Sequence, residues 1–359
     1  MHIPVGYLYC IGNPRTDWLY HTEPAAGLNG RSLRYPRGKI LGGCSSINGM
    51  IYMRGQARDY DHWAEVTDDA RWRWDSSLPY FKRHEDHYLG ANALHGAGGE
   101  WRVDKQRLRW DVLDAFAQAA VQAGIPATDD FNRGTNEGVG YFEVNQKNGW
   151  RWNTAKAFLR PTCYGRPNFE MWTSAQVSKL LMETLPDGQQ RCSGVEVWNG
   201  QEMVTAHAAQ SVVLTAGAIG SPQILQLSGI GPGALLQQHG ITPLVELPGV
   251  GENLQDHLQI RAVFKVKGVK TLNTLANSWW GKAAIGMEYL FKRSGPMSMA
   301  PSQLGAFTRS GPSQDWPNIE YHVQPLSLDA FGEPLHPFPA FTASAVSYTH
   351  LTLPTSDLV

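Results

Sequence analysis

Residues 37–54 read RGKILGGCSSINGMIYMR, and this stretch decides how the rest of the chain is interpreted. Gly42 and Gly43 lack a β-carbon and can adopt positive φ, so their backbone N–H groups can approach an anion closely. Glycine and serine also cluster in ordinary loops, so the stretch by itself leaves a phosphate-binding turn and a plain loop both open.

The residues after the two glycines predict a short helix. Ser45 or Ser46 is a suitable N-cap for a helix in which Ile47, Met50 and Ile51 recur at i, i+3 and i+4. The positive end of that helix dipole would face the same anion. Turn and helix together predict half of a nucleotide site.

Length and composition favour two domains and exclude several classes of function. The chain has 359 residues, 42% of them hydrophobic, which is enough for a large core and long for one average domain. A net charge of −1 with scattered Lys and Arg argues against nucleic acid as a partner. Cys10, Cys44, Cys163 and Cys192 show no C-x-x-C spacing, so no metal site is predicted.

No run of eighteen apolar residues predicts a membrane-spanning helix. The N-terminal MHIPVGYLYCIG has neither a basic region nor a clean apolar region, so it does not read as a signal peptide. A cytoplasmic location is therefore favoured.

Residues 1–36 read as loop, and regular elements are predicted beyond them. Helices are predicted near Ser76 or Ser77, over residues 110–124, from Thr154 to just before Pro161, and from Pro222 with Ser221 as N-cap. Strands are predicted at 169–173, 177–182, 195–198 and 211–215. The last, SVVLT, is continuously apolar, as expected of a strand in a central sheet covered on both faces.

Four neighbouring polar residues, His84, Glu85, Asp86 and His87, could suggest a metal site. A run of charges on a helix is more often a solvated face, and that is the interpretation we prefer.

Two longer stretches identify a family resemblance. The first motif continues through residue 63 as NGMIYMRGQARDYDHW, and residues 217–232 read GAIGSPQILQLSGIGP. Both are similar to the signatures of the glucose-methanol-choline family of flavin-dependent oxidoreductases, in the correct order, with Cys44 in place of a usual Ser or Thr. LPGVGENLQDH, residues 247–257, also resembles the family and reads as a structural loop. The first signature is most similar to the bacterial choline-dehydrogenase-like members.

The resemblance implies an α/β protein, α+β overall. It predicts a Rossmann-like FAD-binding domain that lacks its first βαβ unit, and a substrate domain with an antiparallel sheet and helices. Residues 1–65 and 156–262 are predicted to form the two segments of the FAD-binding domain. Residues 66–155 would form a substrate or cap region, and residues 263–359 the second, incomplete segment of the substrate-binding domain. Family members carry further sequence at both ends, so the chain is expected to be truncated, and a targeting signal before residue 1 stays open.

The resemblance also implies the cofactor and its binding residues. FAD would be held without a covalent bond, because Ile47 stands where some members carry a His bonded to the flavin. The residues carried over as cofactor-binding are Ile40, Gly42, Gly43, Asn48, Gly49, Met50, Ile51, Val177, Ala216 and Gly217. No metal ligand is among them.

The implied reaction is oxidation of an alcohol to a carbonyl, with hydride moving to flavin N5 while a base takes the hydroxyl proton. The family's catalytic His lies in a C-terminal region that this chain does not match, so no catalytic residue is assigned, and none is carried onto His350. Two alternatives remain: an inactive incomplete fragment, and a flavin-containing relative of the hydroxynitrile lyases. The alcohol and the electron acceptor, whether oxygen, quinone or another, are not identified.

Overall fold

A computed structural model describes residues 2–329 and 333–347. Helices and sheets are mixed, as the sequence predicts. The α-helical segments of the described residues are α1 (Ala57–Thr67), α2 (Trp74–His84), α3 (Asp111–Gln122), α4 (Arg160–Thr162), α5 (Gly217–Leu227), α6 (Gly233–Gln238), α7 (Leu272–Ala276) and α8 (Trp279–Lys292).

The strands of the described residues are β1 (Tyr20–His21), β2 (Arg34–Tyr35), β3 (Glu85–His87), β4 (Trp101–Lys105), β5 (Gly138–Tyr141), β6 (Glu143–Val144), β7 (Gln146–Lys147), β8 (Trp150–Arg151), β9 (Gln176–Thr184), β10 (Gln190–Trp198), β11 (Met203–His207), β12 (Ile230–Gly231), β13 (Val245–Glu246), β14 (Gln259–Lys265), β15 (Leu304–Thr308), β16 (Ile319–Gln324) and β17 (Ala340–Ser347).

The described residues group into two compact units. The first comprises residues 2–164, 257–329 and 333–347, and the second comprises residues 165–256. Residues 2–65 and 66–155 lie together in the first unit. The assignment of these segments to an FAD-binding domain and to a substrate region therefore stays a prediction.

An antiparallel sheet of five strands, in the order β14-β17-β16-β15-β5, forms the centre of the first unit. Leu304 of β15 faces Val323 of β16 in the register, and both are fully buried. The helix α3 covers them with Leu113, also fully buried. The prediction of a helix over residues 110–124 is confirmed, and Gly124 follows its end with φ +96°.

The second unit is built on the antiparallel sheet β11-β10-β9, with α5 packed against β9. The N–H of Leu180 in β9 donates to Ser228 Oγ, at the end of α5, at 2.8 Å. The strands predicted at 177–182 and 195–198 are confirmed. The loop predicted at 247–257 is confirmed as well, because no helix or strand lies there.

Two predicted strands are wrong. Residues 169–173 and 211–215 are not strands, and Val213 is 80% exposed. A strand exists only where a neighbour pairs with its backbone, and the described residues offer no such neighbour at 211–215. Apolar, β-branched composition alone does not supply that partner.

Three predicted helix boundaries also differ. Helix α2 begins at Trp74, before Ser76, because its first N–H donates to the Asp61 carboxylate at 3.1 Å and needs no local cap. The prediction that Ser221 caps a helix is wrong, since α5 begins at Gly217, whose φ of +85° makes the entry turn.

The helix after Thr154 does not stop before Pro161. A π-helical segment, Ala155–Leu159, leads directly into α4, which contains Pro161. A wider turn before the proline reduces the clash of its ring with the carbonyl one turn earlier.

None of the helices in residues 2–329 and 333–347 combines the length and apolar character needed to cross a bilayer. His350 lies outside the described residues.

Candidate cofactor site

Two left-handed glycines shape the turn of residues 37–54, which we call the glycine turn. Gly42 has φ +88° and Gly43 φ +52°, and a single 3₁₀ turn, Gly43–Ser46, follows them. A β-carbon on Gly38 would lie 2.3 Å from the Gly43 carbonyl oxygen, so only glycine allows the chain to pass so closely there. The backbone thus folds back on itself.

The helix predicted from Ser45 or Ser46 through Ile51 is wrong. The chain leaves the helical conformation at Asn48. The side-chain oxygen of Asn48 accepts the N–H of Met50 at 3.0 Å, and Met50 takes φ +64°. Asparagine side chains offer the backbone this local alternative to a helix. Ile51 then pairs with Val144 in an isolated bridge, so the apolar residues at 47, 50 and 51 do not form one helical face.

The glycine turn is held by the residues that precede the π-helical segment. Ser45 Oγ accepts the N–H of Thr154 at 3.0 Å, and Asn153 Nδ2 donates to Ser46 Oγ at 2.7 Å. A β-carbon on Gly42 would lie 2.7 Å from Ser46 Oγ. The conformation of the turn is therefore fixed from both sides.

Arg151 is fully buried beneath the glycine turn. Its guanidinium donates to the carbonyls of Ser45 at 3.1 Å, Asn48 at 2.7 Å and Pro4 at 3.2 Å, and to Asn48 Oδ1 at 3.0 Å. No carboxylate pairs with it among the described residues, and its Nε has no partner there. Burial lowers the pKa of Arg151 to about 10.

Lys156 adds to this positive charge. Burial, together with the neighbouring Arg160 and Arg151, lowers the pKa of Lys156 to about 8. Its Nζ donates to the Arg151 carbonyl at 2.7 Å, and it too lacks a carboxylate partner in the part of the chain that the structure describes. The region around the turn therefore carries cations without matching anions.

The exposed side of the glycine turn can accept an anion. A β-carbon built on Gly43 meets no atom within 4 Å, so the space above that residue is open. The N–H groups of Gly42 and Cys44 donate to no group of the described residues. Open space, free donors and surplus positive charge fit a phosphate or pyrophosphate group.

The structure brings together the predicted site residues of the first unit, which all lie on the glycine turn and are Ile40, Gly42, Gly43, Asn48, Gly49, Met50 and Ile51. Met50 is 1% exposed and packs with Val144 and Ala300. Gly49 faces Pro301, whose Cγ would lie 2.9 Å from a β-carbon.

The other predicted residues belong to the second unit. Val177 lies in β9 and pairs with Val197, while Ala216 precedes α5 and Gly217 begins it. Both Ala216 and Gly217 are exposed. Their role in the site stays a prediction.

The sequence did not indicate that Arg151, Asn153 and Thr154 support the glycine turn. Thr154 was predicted only as the start of a helix. The only sequence signal was the Asn-Thr pair before a helix, a common start for a cap. Nothing in GWRWNT marks Arg151 as buried.

The interpretation of Glu85 and His87 as a solvated helix face is wrong. Both lie in β3, at 0% and 3% exposure, because a parallel pairing with β4 continues directly from the end of α2. Glu85 accepts from Arg54 Nη2 at 2.8 Å and lies 3.1 Å from His95 Nδ1. His84 remains partly exposed at the end of the helix.

These residues belong to a buried ionic cluster. His95 Nε2 lies 3.1 Å from Asp130, and its ring stacks on that of His87 at 3.9 Å between centroids. Burial alone would lower the pKa of His95, but hydrogen bonds to Asp130 and Glu85 raise it to about 9. The same burial would raise the pKa values of both carboxyls, yet contact with His95 lowers them.

One group of potential metal ligands lies in this cluster, formed by His87, His95 and Glu143 with their ligand atoms within 4.8 Å of one another. His87 Nε2 is already 2.7 Å from Glu143 Oε1, and both nitrogens of His95 contact carboxylates. The ring nitrogens are thus engaged with protein groups, as expected of an ionic cluster that supports the fold.

Comparison with known proteins decides the family. The sequence model of the family described as GMC oxidoreductase matches residues 8–259. The chain belongs to the GMC oxidoreductase family. Both signatures on which the resemblance was based, including the glycine turn, fall within the matched region.

The curated relatives of this GMC oxidoreductase include two oxygen-dependent choline dehydrogenases. The protein from Brucella anthropi is 39% identical over 329 residues, which cover 91% of this chain and 58% of the relative. The protein from Burkholderia ambifaria is 38% identical over 348 residues, covering 95% of this chain and 60% of the relative. The chain thus spans about three fifths of the length of these relatives.

Solved structures agree on the fold of this GMC oxidoreductase. Pyridoxine 4-oxidase from Mesorbium loti is similar with a TM-score of 0.81 at 28% identity, over 96% of this chain and 62% of that one. A formate oxidase variant from Aspergillus oryzae has a TM-score of 0.83 at 22% identity, over 98% and 66% of the two chains. At that identity the second likeness concerns the fold alone. The predicted mixed α/β fold class is confirmed.

Proposed function

We propose that this chain is the flavin-binding portion of an FAD-dependent oxidoreductase that converts an alcohol to a carbonyl. The observation that carries the proposal is the open glycine turn surrounded by cations without carboxylate partners. The family membership supports FAD as the group that the turn holds.

The residues of the chain have distinct roles in this proposal. The Gly42 and Gly43 backbone would hold the pyrophosphate, and the backbone from Asn48 to Ile51 would approach the isoalloxazine ring. When bound, FAD supplies the hydride acceptor of the reaction. Val177 would hold the adenine through its backbone, and Gly217 would lie near the dinucleotide.

Arg151 fixes the geometry on the protein side. Its hydrogen bonds to both the carbonyl and the side chain of Asn48 hold the segment that would face the flavin ring. Its positive charge and that of Lys156 would favour an anionic ligand at the turn. Neither residue is assigned a proton-transfer role.

The substrate proposal is an alcohol, with choline as the first compound to test, because relatives at 38–39% identity are named choline dehydrogenases. We propose a non-covalent flavin, since Ile47 offers no side-chain nucleophile at the position where some family members carry a His. The electron acceptor is left open between oxygen and quinone.

The test is to express residues 1–359 with excess FAD, remove free flavin and record absorbance between about 370 and 450 nm, where an oxidised flavin absorbs. Because the family's catalytic His is expected in sequence that this chain does not match, the oxidation is tested on the chain extended by the C-terminal region of a choline dehydrogenase relative. Choline is added to that flavin-loaded protein without oxygen, and bleaching near 450 nm is expected. A folded but colourless protein would contradict cofactor binding by these residues and favour the inactive fragment. A yellow protein that no alcohol bleaches would contradict the oxidation.

A further inference from the structure

Arg151 connects the two parts of the proposed flavin site. Its guanidinium donates to the carbonyl of Ser45, inside the glycine turn, at 3.1 Å, and to the carbonyl and side-chain oxygen of Asn48 at 2.7 and 3.0 Å. Asn48 begins the segment, residues 48–51, that is proposed to approach the isoalloxazine ring. A single residue therefore separates this cation from the place proposed for the ring.

The positive charge of Arg151 is buried and unbalanced. Its side chain is 0% exposed, and residues 2–329 and 333–347 place no carboxylate in an ion pair with it. Its Nε has no hydrogen-bond partner among them. Solvent screens a buried charge much less than an exposed one, so the field of Arg151 acts over a longer distance than that of a surface arginine.

Lys156 adds a second cation without holding the proposed flavin-facing segment. Its Nζ donates to the carbonyl of Arg151 at 2.7 Å, and its N–H donates to Asn153. Burial, Arg160 and Arg151 lower the pKa of Lys156, so the charges of these residues act on one another. Lys156 therefore contributes charge near Asn48 through space and not through a hydrogen bond to it.

Oxidation of an alcohol changes the charge of the flavin ring. Hydride carries two electrons and one proton, so the ring gains one negative charge, while the hydroxyl proton goes separately to a base. The pyrophosphate has the same charge before and after the transfer, and its effect cancels between the two oxidation states. A nearby cation consequently stabilises the ring more after the transfer than before it.

We propose that Arg151 is a positioning residue that also raises the reduction potential of the bound flavin, and that Lys156 adds to this effect. The inference rests on the proposed function, because it requires FAD at the glycine turn. Both cations strengthen the binding of reduced flavin more than that of oxidised flavin. They thereby make the bound flavin a stronger hydride acceptor.

The test is anaerobic equilibration of FAD-loaded residues 1–359 with a reference dye at pH 7, where the absorbance of flavin and dye gives the midpoint potential. Arg151→Met should lower the ratio of the dissociation constants of oxidised and reduced flavin at least about tenfold, which is about 30 mV for a two-electron couple. Lys156→Met should lower it about threefold, or about 14 mV. Arg151→Lys keeps the charge and should change the ratio less than about twofold.

The matched control is Arg109→Met, which removes an arginine of the first unit whose side chain is 73% exposed. Its potential should equal that of the unchanged chain, because solvent screens the charge that it loses. If Arg151→Met fails to fold, Lys156→Met carries the test, since Lys156 donates no hydrogen bond to the glycine turn in the described part of the chain.

Two results would overturn this inference alone. One is a yellow chain whose potential is the same in Arg151→Met and Lys156→Met. The other is a lower potential in Arg151→Met that Arg151→Lys shares and Lys156→Met lacks, because lost hydrogen bonds and not lost charge would then explain it. A chain that binds neither oxidised nor reduced FAD would overturn the proposed function together with the inference.

Discussion

The guanidinium of Arg151 donates two hydrogen bonds to Asn48, one to the backbone carbonyl at 2.7 Å and one to the side-chain oxygen at 3.0 Å. The same side-chain oxygen accepts the N–H of Met50, so one buried cation and one amide together set the left-handed backbone at Met50. Arg151, which is far from Asn48 in the sequence, thus fixes the segment from Asn48 to Ile51 that is proposed to face the flavin.

Replacement of Arg151 by Met is expected to lower the free energy of unfolding of the first unit by about 2–4 kcal/mol, because three backbone carbonyls lose a charged donor. Urea denaturation measures this loss of unfolding free energy. Arg109→Met removes an arginine whose side chain is 73% exposed and paired with Asp114, and should cost less than about 1 kcal/mol. Equal losses in the two variants would mean that Arg151 does not fix the turn.

Gly43→Val is expected to abolish retention of FAD, because its side chain would occupy the open space proposed for the phosphate. Gly98→Val is the matched control: Gly98 also has positive φ, +80°, and also has no atom within 4 Å of an added β-carbon. Flavin absorbance per protein after gel filtration gives the comparison. Both variants place a β-branched residue at positive φ in open space, so equal flavin content would place the pyrophosphate elsewhere.

Acid precipitation of the flavin-loaded chain should leave the yellow chromophore in solution. Ile47 is 4% exposed and has no nucleophilic atom to form a bond with the flavin. The supernatant and the pellet are compared by absorbance. Flavin that stays with the denatured protein would contradict non-covalent binding.

The buried ionic cluster predicts a pH dependence of stability. The pKa of His95 rises from 6.5 to about 9, so its stabilisation is complete below about pH 6.5 and is lost as the pH rises through 9. Glu85 and Asp130 have lowered pKa values, so their contribution is lost as the pH falls below about 4. The cluster stabilises the fold most between about pH 5 and 6.5.

His95→Gln measures this effect. The difference in unfolding free energy between the unchanged chain and the variant should be larger by about 2–3 kcal/mol near pH 6 than near pH 9.5. Lys156 acts in the opposite direction, since its pKa is lowered and its destabilisation is relieved above about pH 8, but it is present in both proteins and cancels. A difference that does not change with pH would show that His95 is neutral in the fold.

The sequence correctly predicted the helices and strands that depend on residues close to one another in the chain. The helix over residues 110–124 carries a full apolar side and a terminal glycine, and it forms as α3. The strands at 177–182 and 195–198 form because a short turn joins them as neighbours. The prediction of Gly42 and Gly43 as a left-handed turn is also confirmed, since their backbone freedom is a property of the residues themselves.

Long-range partners explain the errors. Whether Val213 lies in a strand depends on a neighbouring strand, and no pattern within SVVLT contains that information. Glu85 and His87 are buried because Arg54, His95 and Glu143 meet them there, while their own sequence reads as a polar surface. Asn48 likewise ends the expected helix with the help of Arg151.

The pairing of β5 with β15 has a consequence for synthesis of the chain. Tyr141 and Leu304 are register partners, yet the whole of the second unit is translated between them. On the ribosome, β5 therefore waits with an unpaired edge until its partner emerges, and such edges invite association with other chains. The second unit, whose strands pair with sequence neighbours, can close during that interval, and completion of the central sheet becomes the slow step of folding.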